Sequence, residues 1–212
     1  MSSEDHELLE RWRRGDEAAG EVLFERYYGP VERFFINKVN EEVADLVQET
    51  FAACVQGHGR ADGIRNFRSY LFSVAYNVLC QHLRQRYREQ REIDFDEASI
   101  SSLSPSASSV IAHREQERLL LEGLRGIPVR DQMILELYYW EHLTTAQIAD
   151  VISVPHSTAR TRLQRSRTHL AAAIQRLTNS RSMLESTQTS LDDWARGIRE
   201  LLHSSDDVPK VG

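Results

Sequence analysis

The sequence predicts an all-α protein with two small helical domains, joined by a flexible serine-rich linker, and a short helix near the C-terminus. Apolar residues recur at helical spacing along most of the 212 residues, and no stretch shows the alternation of a strand. Residues 99–109, SISSLSPSASS, hold seven serines and separate the two helical regions. The predicted parts are a first domain at 1–93, a linker at 94–112, a second domain at 113–177 and a C-terminal extension at 178–212.

The first domain divides into three helical stretches. Residues 8–36 have helical spacing, with predicted breaks at Gly15 and at Gly29-Pro30. A second apolar stripe consists of Val43, Leu46, Val47, Phe51 and Cys54. A third apolar stripe consists of Phe67, Leu71, Val74 and Val78, and it predicts a helix over 66–88.

The second domain ends in a predicted helix-turn-helix. Thr144-x-x-Gln147 is typical of a capping box, which would open a short helix. Ser153-Val154-Pro155 then breaks that helix, and a second one is predicted from His156. The inward side of this second helix is predicted to consist of Ala159, Leu163, Ser166 and Leu170.

Positive charge is concentrated in two places, although the chain as a whole has a net charge of −6. Residues 65–92 have a net charge of +4, and residues 156–181 have six arginines and no acid. Residues 1–49 and 182–212 are acidic. Two basic helical blocks favour contacts with phosphate groups, so the total charge does not exclude a nucleic acid as partner.

The helix after the turn has the side chains of a DNA-reading helix. One face consists of Arg160, Thr161, Gln164, Arg165 and Thr168, with His156 and Thr158 at the start of the helix. Arginine can bond guanine and glutamine can bond adenine through two hydrogen bonds each in the major groove. Arg162 and Arg167 flank this face, where phosphate contacts are expected.

The helix predicted at 66–88 has a different polar face, formed by Tyr70, Asn77, Gln81 and Arg84. An aromatic ring, two amides and a guanidinium suit unstacked, single-stranded nucleic acid, because they can stack on bases and bond their edges. Packing of Tyr70 between helices is an equally good interpretation.

These segments together resemble the extracytoplasmic-function sigma factors of the sigma-70 superfamily. The resemblance lies in residues 44–51 (ADLVQETF), 67–77 (FRSYLFSVAYN), 83–86 (LRQR), 127–143 and 157–167 (STARTRLQRSR). It implies binding to the core of RNA polymerase, at the β′ coiled coil, and recognition of promoter DNA. It implies that the helix from His156 contacts the −35 element of the promoter and that the helix at 66–88 contacts the −10 element. The implied residues for the −10 element are Arg65, Arg68, Tyr70, Asn77, Gln81 and Arg84, and those for core polymerase are Asp45, Leu46, Gln48 and Glu49.

Parts of the sequence are also compatible with two other classes of protein. An autonomous helix-turn-helix regulator would explain residues 113–176 but would leave the first basic helix without a role. A magnesium-dependent nucleic-acid enzyme could use the acidic set Glu41, Glu42, Asp45 and Glu49. No phosphate-binding glycine loop, nucleophile–base pair or zinc-ligand spacing accompanies that set, so we expect no catalytic residue, metal or cofactor.

Regulation is expected to come from an anti-sigma factor or from the extension itself. Within 178–212, an amphipathic helix is predicted at 190–203, too short to remain folded without a docking surface. We expect a cytoplasmic protein, because no apolar run is long enough to span a membrane and the acidic N-terminus does not resemble a signal peptide.

Overall fold

The computed structural model describes residues 3–39, 42–57, 66–87, 93–103 and 115–177, and these residues are mainly helical. They include no strand, and their one β-bridge is isolated and joins Ser99 to Pro128. This confirms the predicted all-α class. The helices are α1 Ser3–Arg13, α2 Glu17–Ile36, α3 Val43–Gly57, α4 Phe67–Arg86, α5 Ile100–Leu103, α6 Glu115–Arg125, α7 Val129–Tyr139, α8 Thr145–Val151 and α9 His156–Leu177.

The chain forms two compact units that do not follow its linear order. The first combines Met1–Ile93 with Thr145–Ala159, and the second combines Asp94–Thr144 with Arg160–Gly212. In the first unit, α4 packs against α1, α2, α3 and α8. The contacts thus group α8 with the N-terminal helices. Among the described residues, no helix is both long and apolar enough to cross a membrane.

Aromatic side chains from four helices meet in the core of the first unit. Trp12 of α1 contacts Phe24 of α2 edge to face, with ring centroids 5.3 Å apart, and Phe67 of α4 at 6.1 Å. Phe24 also packs on Phe51 of α3 at 4.8 Å. Such aromatic pairs contribute about 0.5–1.5 kcal/mol each beyond the burial of their area. They therefore fix the positions of α1–α3 around α4.

The break predicted at Gly15 is confirmed. Gly15 has a φ of +93°, which a residue with a side chain adopts only under strain. Asp16 follows as the N-cap of α2, and its carboxylate accepts a hydrogen bond from the Ala19 amide. α1 and α2 are consequently separate helices joined by a tight turn.

The break predicted at Gly29-Pro30 is wrong, because α2 continues through Pro30 to Ile36. A proline inside a helix costs about 3 kcal/mol, since it removes one hydrogen bond and crowds the preceding turn. The buried side chains Tyr27, Val31 and Phe34 continue one apolar stripe across the proline. Burial of that stripe offsets the local cost.

Residues 94–103, the first part of the predicted linker, contact α7. Residues 94–103 belong to the second unit. The Val129 amide, at the start of α7, donates a hydrogen bond to Ala98 O at 2.9 Å. Phe95, Ile100 and Leu103 are buried. Residues 104–112 lie outside the described residues, as do 178–212 with the predicted helix 190–203.

The core of the second unit consists of leucine-rich faces of α6 and α7 and the inner face of α9. Gly123 allows α6 and α9 to approach closely, because a Cβ atom there would lie 2.8 Å from Ile174 Cγ1. The inner side predicted for α9 is confirmed, since all four residues of that side are buried: Ala159, Leu163, Ser166 and Leu170.

Candidate nucleic-acid interface

A tight turn connects α8 and α9, as the sequence predicts. Ser153 adopts a φ of +53°, and the amide of Val154 donates to Ala149 O at 3.0 Å. Thr145 Oγ1 and His156 Nε2 lie 2.8 Å apart, in hydrogen-bond contact across the turn. His156, an expected DNA contact, is exposed but already has this partner, and Thr158 is half-buried. The two helices form a helix-turn-helix.

The side of α9 opposite its buried seam is polar and exposed. Arg160, Thr161, Gln164 and Arg165 all lie on this surface. They follow one another within two turns of helix, so their side chains can reach the same stretch of a DNA groove. We call this set the reading face.

The two flanking arginines differ from one another and from the reading face. Arg162 is half-buried. The guanidinium of Arg167 lies 5.2 Å from the ring centroid of Tyr138 and 5.5 Å from that of Tyr139. This cation–π geometry attaches Arg167 to the end of α7. Arg167 therefore also has a structural contact, which its position in the sequence does not indicate.

A buried carboxylate on α7 holds α9 in place. Asp131 is 0% exposed, and its Oδ1 accepts a hydrogen bond from Ser166 Oγ at 2.8 Å. Its Oδ2 lies 2.5 Å from His169 Nδ1, and Arg165 Nη2 lies 3.5 Å from Oδ1. A buried charge is tolerated only with such partners. Sequence reasoning missed Asp131, because an acid between Arg130 and Gln132 in the first turn of a helix is expected to be exposed, and its burial depends on how α9 packs.

The face predicted on α4 has three exposed members and one partly buried one. Asn77, Gln81 and Arg84 are exposed. Tyr70 is half-buried, and its hydroxyl lies so close to Gly57 that a Cβ atom there would collide with it. Burial raises the pKa of the Tyr70 phenol. Tyr70 thus makes the interhelical contact that the alternative interpretation expected.

The remaining −10 candidates are Arg68 and Arg65. Arg68 is half-buried, and its guanidinium lies 5.8 Å from the ring centroid of Tyr27. Arg65 lies outside the described residues.

The expected polymerase-binding helix, α3, exposes three of its four candidates. Asp45, Gln48 and Glu49 are on the surface, whereas Leu46 is only 3% exposed and packs into the core. Beside them, the ring of Tyr28 stacks on that of Phe51 with centroids 6.5 Å apart and 12° between the planes. Tyr28 is 46% exposed. Sequence reasoning missed this surface ring because its exposure depends on how α2 and α3 pack.

Glu42, one of the acidic residues near α3, lies close to α4. Glu42 lies 3.7 Å from His82 Nδ1 and 3.6 Å from Arg86 Nη1, both on α4, and Glu41 is outside the described residues. In the described part of the chain, no three potential metal ligands come together. Glu42, which immediately precedes α3, therefore forms an ion pair with Arg86 of α4 and lies beside His82, whose pKa is lowered by burial.

A helix-turn-helix with an arginine- and glutamine-bearing reading face defines a DNA-binding protein. Comparison with known families gives the same class in more detail. Residues 23–89 match the model of sigma-70 region 2, and residues 117–170 match that of sigma-70 region 4. The two matches occur in this order and together cover more than half of the chain.

Known proteins resemble the chain along most of its length. The RNA polymerase sigma-H factor of Pseudomonas aeruginosa is 27% identical over 82% of this chain and 95% of its own. The ECF RNA polymerase sigma-E factor of Haemophilus influenzae is 24% identical over 82% of this chain and 96% of its own. That of Escherichia coli K12 is 25% identical over 82% of this chain and 95% of its own. A chain in the solved structure of CnrH in complex with the cytosolic domain of CnrY shares the fold, with a TM-score of 0.54 at 18% identity, over 83% of this chain and 100% of that chain.

The chain belongs to the sigma-70 family and is an extracytoplasmic-function sigma factor. It directs RNA polymerase to promoters, as a transcription initiation factor of a family that is not enzymatic.

Ser166→Ala tests the attachment of α9. The change removes a hydrogen-bond donor from the buried Asp131 carboxylate and should lower the free energy of unfolding by about 1–2 kcal/mol. Urea denaturation of the full chain, followed by helical circular dichroism, measures this. Thr168→Ala, on the exposed side of the same helix, is the control. Equal effects of the two changes would contradict a role for the Ser166–Asp131 bond.

Proposed function

We propose that α9 enters the major groove of the −35 element and reads bases with Arg160, Thr161, Gln164 and Arg165. The exposure of all four side chains, on the side of α9 opposite its buried seam, carries this proposal. Arginine and glutamine can each bond one base through two hydrogen bonds. Arg162, Arg167, His156 and Thr158 act at the edge of the interface, where contacts go to phosphate groups and orient the helix.

The −10 element is the proposed ligand of α4. Asn77, Gln81 and Arg84 are exposed on one side of that helix and offer amide and guanidinium groups to unpaired bases and phosphates. Tyr70 contributes through its position against Gly57, at the end of α3. Arg68 and Arg65 complete the proposed site.

RNA polymerase core is the proposed partner of α3. Asp45, Gln48 and Glu49 offer an acidic and polar surface that suits a basic partner, and the β′ coiled coil is the expected one. The stacked rings of Tyr28 and Phe51 add exposed aromatic area beside it, which protein interfaces favour. Leu46 is buried and helps to pack α3 against the core.

In functional terms, we assign residues 1–93 to core and −10 binding and residues 113–177 to −35 binding, with 94–112 between them. A cytoplasmic location follows from the proposed partners, promoter DNA and polymerase. Control of activity is assigned to an anti-sigma factor or to residues 178–212, which follow the last described helix.

Gln164→Ala tests the reading face. It should weaken holoenzyme binding to a cognate promoter by about 1–3 kcal/mol and relax the preference at one −35 position, because one base contact is lost. Binding to a panel of promoters with single −35 changes measures this. Gln175→Ala, exposed near the far end of α9, is the matched control. Uniform weakening on every sequence would instead make Gln164 a phosphate contact.

Glu49→Lys tests the polymerase surface. Reversing this charge should weaken association with core polymerase about tenfold at low salt, because complementary charges mainly accelerate and orient association. Titration of labelled protein with core polymerase gives the affinity. Glu7→Lys makes the same charge change on the exposed surface of α1 and should bind like the wild type. If both variants bind equally, α3 is not the docking helix.

Removal of residues 178–212 tests their regulatory role. The truncated protein should produce more run-off transcript with core polymerase, because an element that restrains the sigma factor is gone. A protein with a glycine–serine tail of the same length controls for the length of the chain. Transcript yields that are equal for all three proteins would assign control to a separate factor.

A further inference from the structure

An ordered segment ahead of α6 reaches the start of α7 in the second unit. The Arg130 amide donates to Phe95 O at 3.2 Å, and the Val129 amide donates to Ala98 O. Phe95 is 3% exposed. The backbone on both sides of Asp96 is thus fixed, and the position of the Asp96 side chain is set by the fold.

The Asp96 carboxylate lies between two arginines. Its Oδ2 accepts a hydrogen bond from Arg130 Nη1. Its Oδ1 is buried without a hydrogen bond, and Arg165 Nη2 lies 3.9 Å from it. Asp131 Oδ1 lies 3.5 Å from the same Arg165 nitrogen. One end of the Arg165 guanidinium therefore faces two carboxylates that come from two different elements.

This arrangement limits what Arg165 can contact. Its side chain is 46% exposed, so the guanidinium remains accessible from solvent. The guanidinium is a rigid plane with five N–H donors, and holding one nitrogen orients the other donors. Two nearby negative charges also oppose the approach of a phosphate group. A neutral guanine edge, which offers two acceptors in one plane, suits the oriented donors better.

We propose that Asp96 is a specificity-determining residue of this sigma factor. Together with Asp131, it holds Arg165 in the orientation that reads a guanine in the −35 element. Asp96 itself touches no DNA and is a positioning residue. The inference rests on the proposed role of α9 and extends −35 recognition to a residue that precedes the helix-turn-helix by about fifty positions.

The test uses the full-length protein assembled with core polymerase and a promoter library randomised across the −35 element. Bound promoters are sequenced for the wild type, Asp96→Asn, Arg165→Ala and the double variant. Asparagine keeps the size of the side chain and removes its charge. Glu97→Gln removes the same charge from the exposed neighbouring residue and is the control.

Asp96→Asn should reduce discrimination at one −35 position about tenfold, the scale of one base contact, and leave the other positions unchanged. Arg165→Ala should lose discrimination at the same position. The double variant should lose no more than Arg165→Ala alone, because both changes act on one contact. Glu97→Gln should select the same sequences as the wild type.

Three results would overturn the inference. The Asp96→Asn variant could keep the wild-type −35 preference, or it could change its affinity equally for all sequences. It could also lose discrimination at a position where Arg165→Ala keeps it. A purely structural role through Arg130 would give the second of these, since a shifted helix affects every contact. If the wild type itself selects no −35 sequence, the proposed function of α9 fails, and the inference falls with it. Two measurements therefore separate failure of the proposed function from failure of the Asp96 inference: the −35 selection by the wild type, and the binding of Gln164→Ala to the promoter panel.

Discussion

The buried carboxylate of Asp131 is the constraint on which the reading helix depends. A charge with no exposure to water is stable only when donors surround it, and three residues of α9 supply those contacts. Because Arg165, Ser166 and His169 span one turn, they fix both the rotation of α9 about its axis and its position along α7. Leu163 and Leu170 fill the apolar space on either side. The direction in which the reading face points follows from this attachment.

Charge is divided along the chain in a way that suits a factor working inside a larger complex. The basic helices α4 and α9 have the groups that DNA attracts, while the N-terminal region and the C-terminal extension are acidic. The net charge of −6 opposes unspecific binding of the isolated chain to DNA. We therefore expect affinity for a promoter to depend on the polymerase, and the acidic surface of α3 is the proposed place where the polymerase attaches.

Periodicity was sufficient to predict the long helices and the inner seam of α9, because local spacing determines which side of a helix is buried. It did not predict the short α5, which lies in the segment assigned to the linker. It failed at Pro30, where burial of the apolar stripe on both sides of the proline overrides the local break. The sequence also could not pair Asp131 with Ser166, or Asp96 with Arg165, because each pair is more than thirty residues apart and depends on packing. The resemblance supplied candidates for the −10 and −35 contacts, but which of these residues also stabilise the fold, as Arg167 does, is visible only from the contacts in the structure.

Site-specific crosslinking tests the central claim, that α9 and α4 contact different promoter elements, most directly. Gln164→Cys and Gln81→Cys would each carry a photoreactive aryl azide, and the native Cys54 and Cys80 are buried. Burial also raises the pKa of the Cys54 thiol to about 12, which suppresses its labelling. In a complex with core polymerase and promoter, the probe on α9 should crosslink to the −35 element and the probe on α4 to the −10 element. Crosslinks from both probes to the same element, or exchanged elements, would contradict the account.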